Sequence, residues 1–168
     1  AEIELALGRF LAWRSARRAE LVGVELPFEL TLDLPGVSVV LNGQVDWLEL
    51  APGGARVVDF KTARRAPTKA AVAELEQLGV YQLALVTGGF GDRLPAGTGS
   101  VGASAVYLRV AERASGQPKE LLQPALEGDP SWVHERVAQA AAVVVEGSYP
   151  ATAGPHCRSC AFTAGCPA

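Results

Sequence analysis

The feature that most constrains this chain is an abrupt change of period. Up to about residue 19, apolar side chains recur at helical spacing, at Ile3, Leu7, Phe10 and Leu11. From residue 22 on, Val22, Val24, Leu26, Phe28, Leu30 and Leu32 alternate with Gly23, Glu25, Pro27, Glu29, Thr31 and Asp33. The first pattern reads as a helix, with Arg14, Arg17 and Arg18 crowding the end where a helix C-terminus favours cations. The second reads as a strand with one buried face. Proline cannot donate to a sheet ladder, so Pro27 puts that strand at an edge or marks an irregularity. Pro35-Gly36 turns the chain into a second strand, Val37 to Leu50, kinked at Gly43. Pro52-Gly53-Gly54 turns it into a third, Arg56 to Lys61. Strands joined this tightly form an antiparallel meander.

Beyond Pro67, Thr68 can cap a helix running to about Val86, with Val72, Leu75, Leu78 and Leu83 on its apolar side and Gly79 weakening it. The glycine-rich stretch 88–99 is a loop, Val101 to Val110 a fourth strand, and 111–128 carries no single pattern. Asp129 reads as an N-cap with Pro130 at the first helical position, and Trp132, Val133, Val137, Ala140, Ala141 and Val144 stripe a last helix that Tyr149-Pro150 stops. The order is that of a mixed α/β domain over residues 1–150, followed by a Cys-rich tail over 151–168.

Composition narrows the classes. With 168 residues, 49% hydrophobic and 20% charged, the chain has the makings of one self-supporting globular domain. No run approaches the roughly 18–20 apolar residues of a membrane span, and no basic segment leads an apolar one at the start. There is no Met, and Ala1 opens inside a helix, so the sequence reads as a piece of a longer chain. The three Cys all fall in the last twelve residues, as Cys157-x-x-Cys160-x5-Cys166. That clustering favours a metal over a disulfide framework, and with it a reducing compartment, the cytoplasm. A net charge of -3 argues against a generally basic nucleic-acid coat. It leaves room for an enzyme whose own metal-binding carboxylates count towards that charge.

Asp59 and Lys61 stand two apart on the third strand and share a face. A tight hairpin can bring Asp46 of the second strand beside them. Converging carboxylates repel unless a cation joins them, and oxygen ligands suit Mg²⁺ (or Mn²⁺), which keeps several waters and works with one or two carboxylates and a substrate phosphate. Such an ion activates water for phosphodiester hydrolysis, and a neighbouring lysine can orient that water or stabilise charge on phosphorus oxygens. The bland alternative is an exposed strand bearing a surface ion pair. Gln77 and Tyr81, spaced i, i+4, share one face of the next helix.

The strings Gly43-Gln44-Val45-Asp46, Asp59-Phe60-Lys61-Thr62 and Gln77-Leu78-Gly79-Val80-Tyr81 resemble the RecB-type nuclease branch of the PD-(D/E)XK superfamily. The order of elements is similar to that family's restriction-endonuclease-like core, a mixed sheet flanked by helices. The resemblance implies that Asp46 and Asp59 ligate metal, that Lys61 is the catalytic lysine and that Gln77 and Tyr81 line the site. It also implies an acidic residue on the preceding strand, for which Glu25 is the candidate and Glu29 the rival. The family's histidine in an N-terminal helix has no counterpart, since the first helix holds none and His134 and His156 come too late.

Cys157, Cys160 and Cys166 are similar in spacing to the tail that carries a [4Fe-4S] cluster in AddB-like and AdnA/AdnB-like helicase-nucleases and in CRISPR-associated RecB-like nucleases. There the fourth cysteine lies upstream of the nuclease core. Structural zinc is the alternative, with His156 as a fourth ligand. Arg64, Arg65 and Lys69 follow the lysine strand and fit phosphate contacts as well as they fit a solvated face. Arg14, Arg17 and Arg18 read as a solvated face, and Trp13, Trp47 and Trp132 as core.

Taken with the resemblance, these residues describe a Mg²⁺-dependent deoxyribonuclease, the C-terminal module of a bacterial helicase-nuclease acting on single-stranded DNA in double-strand break repair and recombination, with a helicase in the parent chain and a partner subunit. No Gly-x4-Gly-Lys-Ser/Thr occurs, so the ATP site of such a motor lies elsewhere. The competing readings are a non-catalytic module that guides DNA and a stand-alone CRISPR-associated nuclease.

Overall fold

The computed structural model describes residues 2–167. Helix α1 (Glu2–Ala16) leads into the meander β1 (Glu20–Leu34), β2 (Val37–Ala51) and β3 (Gly54–Lys61). Helices α2 (Lys69–Ala73) and α3 (Glu76–Val86) connect β3 to β4 (Ser100–Ala111), which is followed by β5 (Pro118–Gln123) and α4 (Trp132–Glu146). The five strands form one sheet in the order β1-β2-β3-β4-β5. Neighbours are antiparallel except β3 and β4, which run parallel and are joined by the helical crossover that a parallel pair requires. Pro27 does lie on an edge strand.

Both faces of the sheet are covered. On one, Val45, Leu48 and Val57 pack with Leu78 and Leu83 of α3 and Val133 and Val137 of α4, and on the other, Trp47, Val58 and Val106 pack with Trp13 of α1. Of the apolar stripe expected to bury α1, only Phe10 meets the core. Ile3, Leu7 and Leu11 are 84%, 55% and 57% exposed, and the buried side of the helix is formed by Phe10 and Trp13. Arg17 is no solvated cation either. Its guanidinium holds Glu49, only 1% exposed, through Nε and Nη2 at 2.9 and 2.7 Å, and Glu120 through Nη1 at 3.0 Å. Trp13 and Trp47 donate their indole N–H groups to Glu120 and Glu49. A buried charge is tolerable only when paired and hydrogen-bonded, and this one is.

The helix expected from Thr68 to Val86 is two helices. Thr68 caps the first as anticipated, its hydroxyl accepting from the Ala71 N–H. The break falls at Glu74-Leu75, ahead of Gly79, because Gln123 Nε2 on β5 donates to the carbonyls of Val72, Ala73 and Leu75 at 2.9, 3.3 and 3.1 Å. Strand β5 itself comes from the stretch that showed no pattern. Helix α4 is capped by Ser131, not Asp129. His134 Nδ1 accepts the Ser131 backbone N–H at 3.0 Å, which gives that histidine a capping role. The helix closes at Gly147, whose φ of 63° is left-handed, before Tyr149-Pro150 is reached. Residues 151–167 form two 3₁₀ turns, Pro155–Ser159 and Thr163–Gly165, with no buried side chain. Among the described residues no helix is long and apolar enough to cross a membrane.

Candidate active site

The site forms where the ladder between β2 and β3 ends. Their pairing runs from Ala51↔Gly54 to Trp47↔Val58, and one step further Asp46 and Asp59 face each other. There the Asp46 side chain replaces the ladder bond, its Oδ2 accepting the Phe60 N–H at 2.7 Å. Asp59 shares a face with Val57 and Lys61 and is 3% exposed. Lys61 Nζ lies 2.7 Å from Asp59 Oδ2 and donates to Gln77 Oε1 at 2.6 Å, while Gln77 Nε2 donates to the Tyr81 hydroxyl at 2.8 Å. Five of the residues read from the sequence, Asp46, Asp59, Lys61, Gln77 and Tyr81, therefore stand together.

Burial pushes the Asp59 carboxyl above its ordinary range, Lys61 pulls it down, and the nearby Asp46 charge adds to the rise. Burial also raises Tyr81, with the Gln77 hydrogen bond opposing and the two aspartates reinforcing the rise. Asp59 Oδ2 is buried and accepts no well-formed hydrogen bond despite its ion pair with Lys61. A buried oxyanion short of donors, facing a second carboxylate, is a donor set that fits a hard divalent cation.

The remaining candidates do not join that hydrogen-bonded group. Glu25 lies across from Asp46, between the pairs Val24↔Trp47 and Leu26↔Val45, with a left-handed φ of 49°. Its carboxylate is held by Gln44 Nε2 at 2.7 Å. Glu29 is exposed opposite Asn42. Among the described residues no three His, Cys, Asp or Glu side chains converge, so neither glutamate completes a three-ligand set. The same holds for Cys157, Cys160 and Cys166. All are free thiols, the first accepting the Gly154 N–H and the other two exposed, and as arranged they fit neither shared zinc nor an iron–sulfur cluster. Arg64, Arg65 and Lys69 are exposed beyond β3, and Arg64 pairs with Glu2 at 3.1 Å.

Two further residues support the site. The Phe28 ring lies edge-on to Tyr81, with centroids 5.8 Å apart, and it rests against Gly43, where a Cβ would meet the ring at 2.9 Å. The glycine thus lets Phe28 cross β2 and brace Tyr81. Tyr107 pairs with Lys61 across the parallel β3–β4 ladder, and burial raises its hydroxyl. Alternation along β1 marked Phe28 as buried. Nothing local in the sequence tied it to Tyr81.

A parallel crossover flanked by helices, with two aspartates and a lysine where the central hairpin opens, defines a nuclease-type α/β core. The family model of the PD-(D/E)XK nuclease superfamily matches residues 1–167, and the chain belongs to that superfamily. A search of curated proteins finds no significant match. Among solved structures, the crystal structure of SSO0001 is similar, with a TM-score of 0.55 and 17% identity over 98% of this chain and 67% of that one. At that identity the likeness concerns the fold.

Proposed function

We propose that this chain is a metal-dependent deoxyribonuclease domain that hydrolyses phosphodiester bonds of single-stranded DNA. The observation that carries the reading is the convergence of Asp46, Asp59 and Lys61 at the opening of β2 from β3, with Gln77 and Tyr81 closing the far side. Asp46 and Asp59 would hold Mg²⁺ or Mn²⁺, which when bound supplies Lewis-acid activation of water and neutralises phosphate charge.

The protein's own groups have separable tasks. An ammonium has three N–H donors, and Lys61 gives one to Gln77 while its charge pairs with Asp59. A remaining N–H can hold the attacking water or a non-bridging phosphate oxygen. Gln77 fixes the direction of that ammonium by accepting from it, and it fixes the Tyr81 hydroxyl by donating to it. The Tyr81 proton is thereby left to point at an anionic oxygen. Such preorganised donors act on charge that develops in the transition state.

The RecB-like order of motifs supports placing the domain in a bacterial helicase-nuclease of break repair, with a helicase and a partner subunit. Incubation with single-stranded DNA and Mg²⁺ tests the activity. Asp59→Ala or Lys61→Ala should lower the rate by about 10²–10³-fold, and cleavage that survives both removes the assignment. A second reading, a module that binds DNA without cutting it, is favoured by one observation: only two carboxylates converge among the described residues. It expects bound, intact DNA under the same conditions.

A further inference from the structure

Two guanidinium groups from separate elements converge on one carboxylate oxygen at a corner beyond the end of β3. Arg64 Nη2 lies 3.1 Å from Glu2 Oε2, and Arg109 Nη2 contacts the same atom. Arg64 follows Lys61 by three residues on the segment leaving β3. Arg109 stands on β4 two residues beyond Tyr107, the partner of Lys61 in the ladder, and its Nη1 reaches the Thr62 carbonyl at 3.5 Å. The corner is therefore tied to the catalytic strand from both sides. Arg9 lies near it, its Nη1 donating to the Leu108 carbonyl at 3.1 Å. Glu2 and Glu4 supply the carboxylates of α1's first turn.

We propose that Arg64 and Arg109 form a binding site for a backbone phosphate of the nucleic-acid strand, and that the Glu2 carboxylate holds that position in the free protein. This rests on the nuclease reading and deepens it. Paired guanidiniums on one oxyanion are an arrangement suited to phosphate. The occupant is readily displaced, since the Glu2 side chain is 61% exposed and exposed ion pairs contribute little. Arg109 is 26% exposed and held by its neighbours, so little freedom remains to be lost on binding. Arg65 and Lys69, exposed just downstream, leave the neighbourhood cationic once Glu2 withdraws.

The test is anisotropy of a short fluorescent oligothymidylate in EDTA, where binding is read without cleavage. Glu2→Gln should tighten binding about threefold and steepen the dependence of log K on log salt by about 0.7, one more phosphate contact on a single strand. Arg109→Ala should weaken binding about fivefold and flatten that dependence by about 0.7, while Arg136→Gln on α4 should leave both unchanged. Glu2→Gln binding no tighter than the unaltered protein, or Arg109→Ala behaving like Arg136→Gln, overturns the proposal. So does an unaltered protein that does not bind. If Arg109→Ala fails to fold, Glu2→Gln decides alone. Intact DNA after incubation with Mg²⁺ counts against the nuclease reading and leaves this binding result standing.

Discussion

Asp46 takes the backbone N–H of Phe60 at 2.7 Å, a bond that the β2–β3 ladder would otherwise supply. The strands can part there because a side chain satisfies the donor that their separation exposes. The gap so made is where Asp59 meets Asp46, and the chemistry of the site follows from that one substitution of partners.

Asp59 makes stability depend on pH and on metal. Its carboxyl is raised in the folded protein, chiefly by burial, so the unfolded chain gives up this proton more readily. The contribution to stability is therefore fully present below the ordinary carboxylate range and falls as pH rises from there through the raised value. Asp59→Asn should melt higher than the parent at neutral pH, with the difference shrinking in acid. Mg²⁺ at one hundred times its Kd should stabilise the parent by about 2.7 kcal/mol and the variant by far less. Thermal unfolding over a pH series, with and without Mg²⁺, reads both effects.

Gly43 is needed for its lack of a side chain. A Cβ there would sit 2.9 Å from Phe28, and relieving the clash must move the ring that braces Tyr81. Gly43→Ala should cost about 1–3 kcal/mol in urea unfolding and lower the cleavage rate at temperatures where the variant is still folded. Phe28→Leu should restore part of the stability in the Gly43→Ala background but not the rate.

Glu49 is buried on the face opposite Lys61, and its charge depends on Arg17. Arg17→Met leaves that carboxylate without its main partner and should cost about 3–5 kcal/mol. Adding Glu49→Leu should recover much of the loss. Denaturant unfolding of the single and double variants measures the coupling.

The parts of this molecule that were legible in its sequence are those set by local pattern. Alternation and two tight turns fix the meander, and with it the meeting of Asp46 and Asp59. A spacing of four on α3 fixes Gln77 beside Tyr81. What escaped was decided by distant partners. Gln123 interrupts the helix at Glu74-Leu75 from 48 residues beyond Leu75 in the chain, and no feature between 69 and 86 announces it. Arg17 reads as a surface charge until the buried Glu49 is seen to neutralise it. Helix α1 has apolar residues on two sides, so its period could not say which one meets the sheet.

Gln123 offers a direct check of that long-range control. Gln123→Leu removes the donor from three carbonyls and the partner of Gln82, and leaving such groups unpaired should cost about 1–3 kcal/mol. Hydrogen exchange should quicken at α2 and at the start of α3 before it quickens in β2 or β3.

The central claim is that Asp59 and Lys61 carry phosphodiester hydrolysis, and single-turnover cleavage of single-stranded DNA with Mg²⁺ tests it most directly. The unaltered protein should cut. Lys61→Ala should fall by about 10²–10³-fold while its melting temperature still rises with Mg²⁺, and Asp59→Ala should lose both the cutting and that rise. Cleavage by both variants at the unaltered rate would contradict the claim.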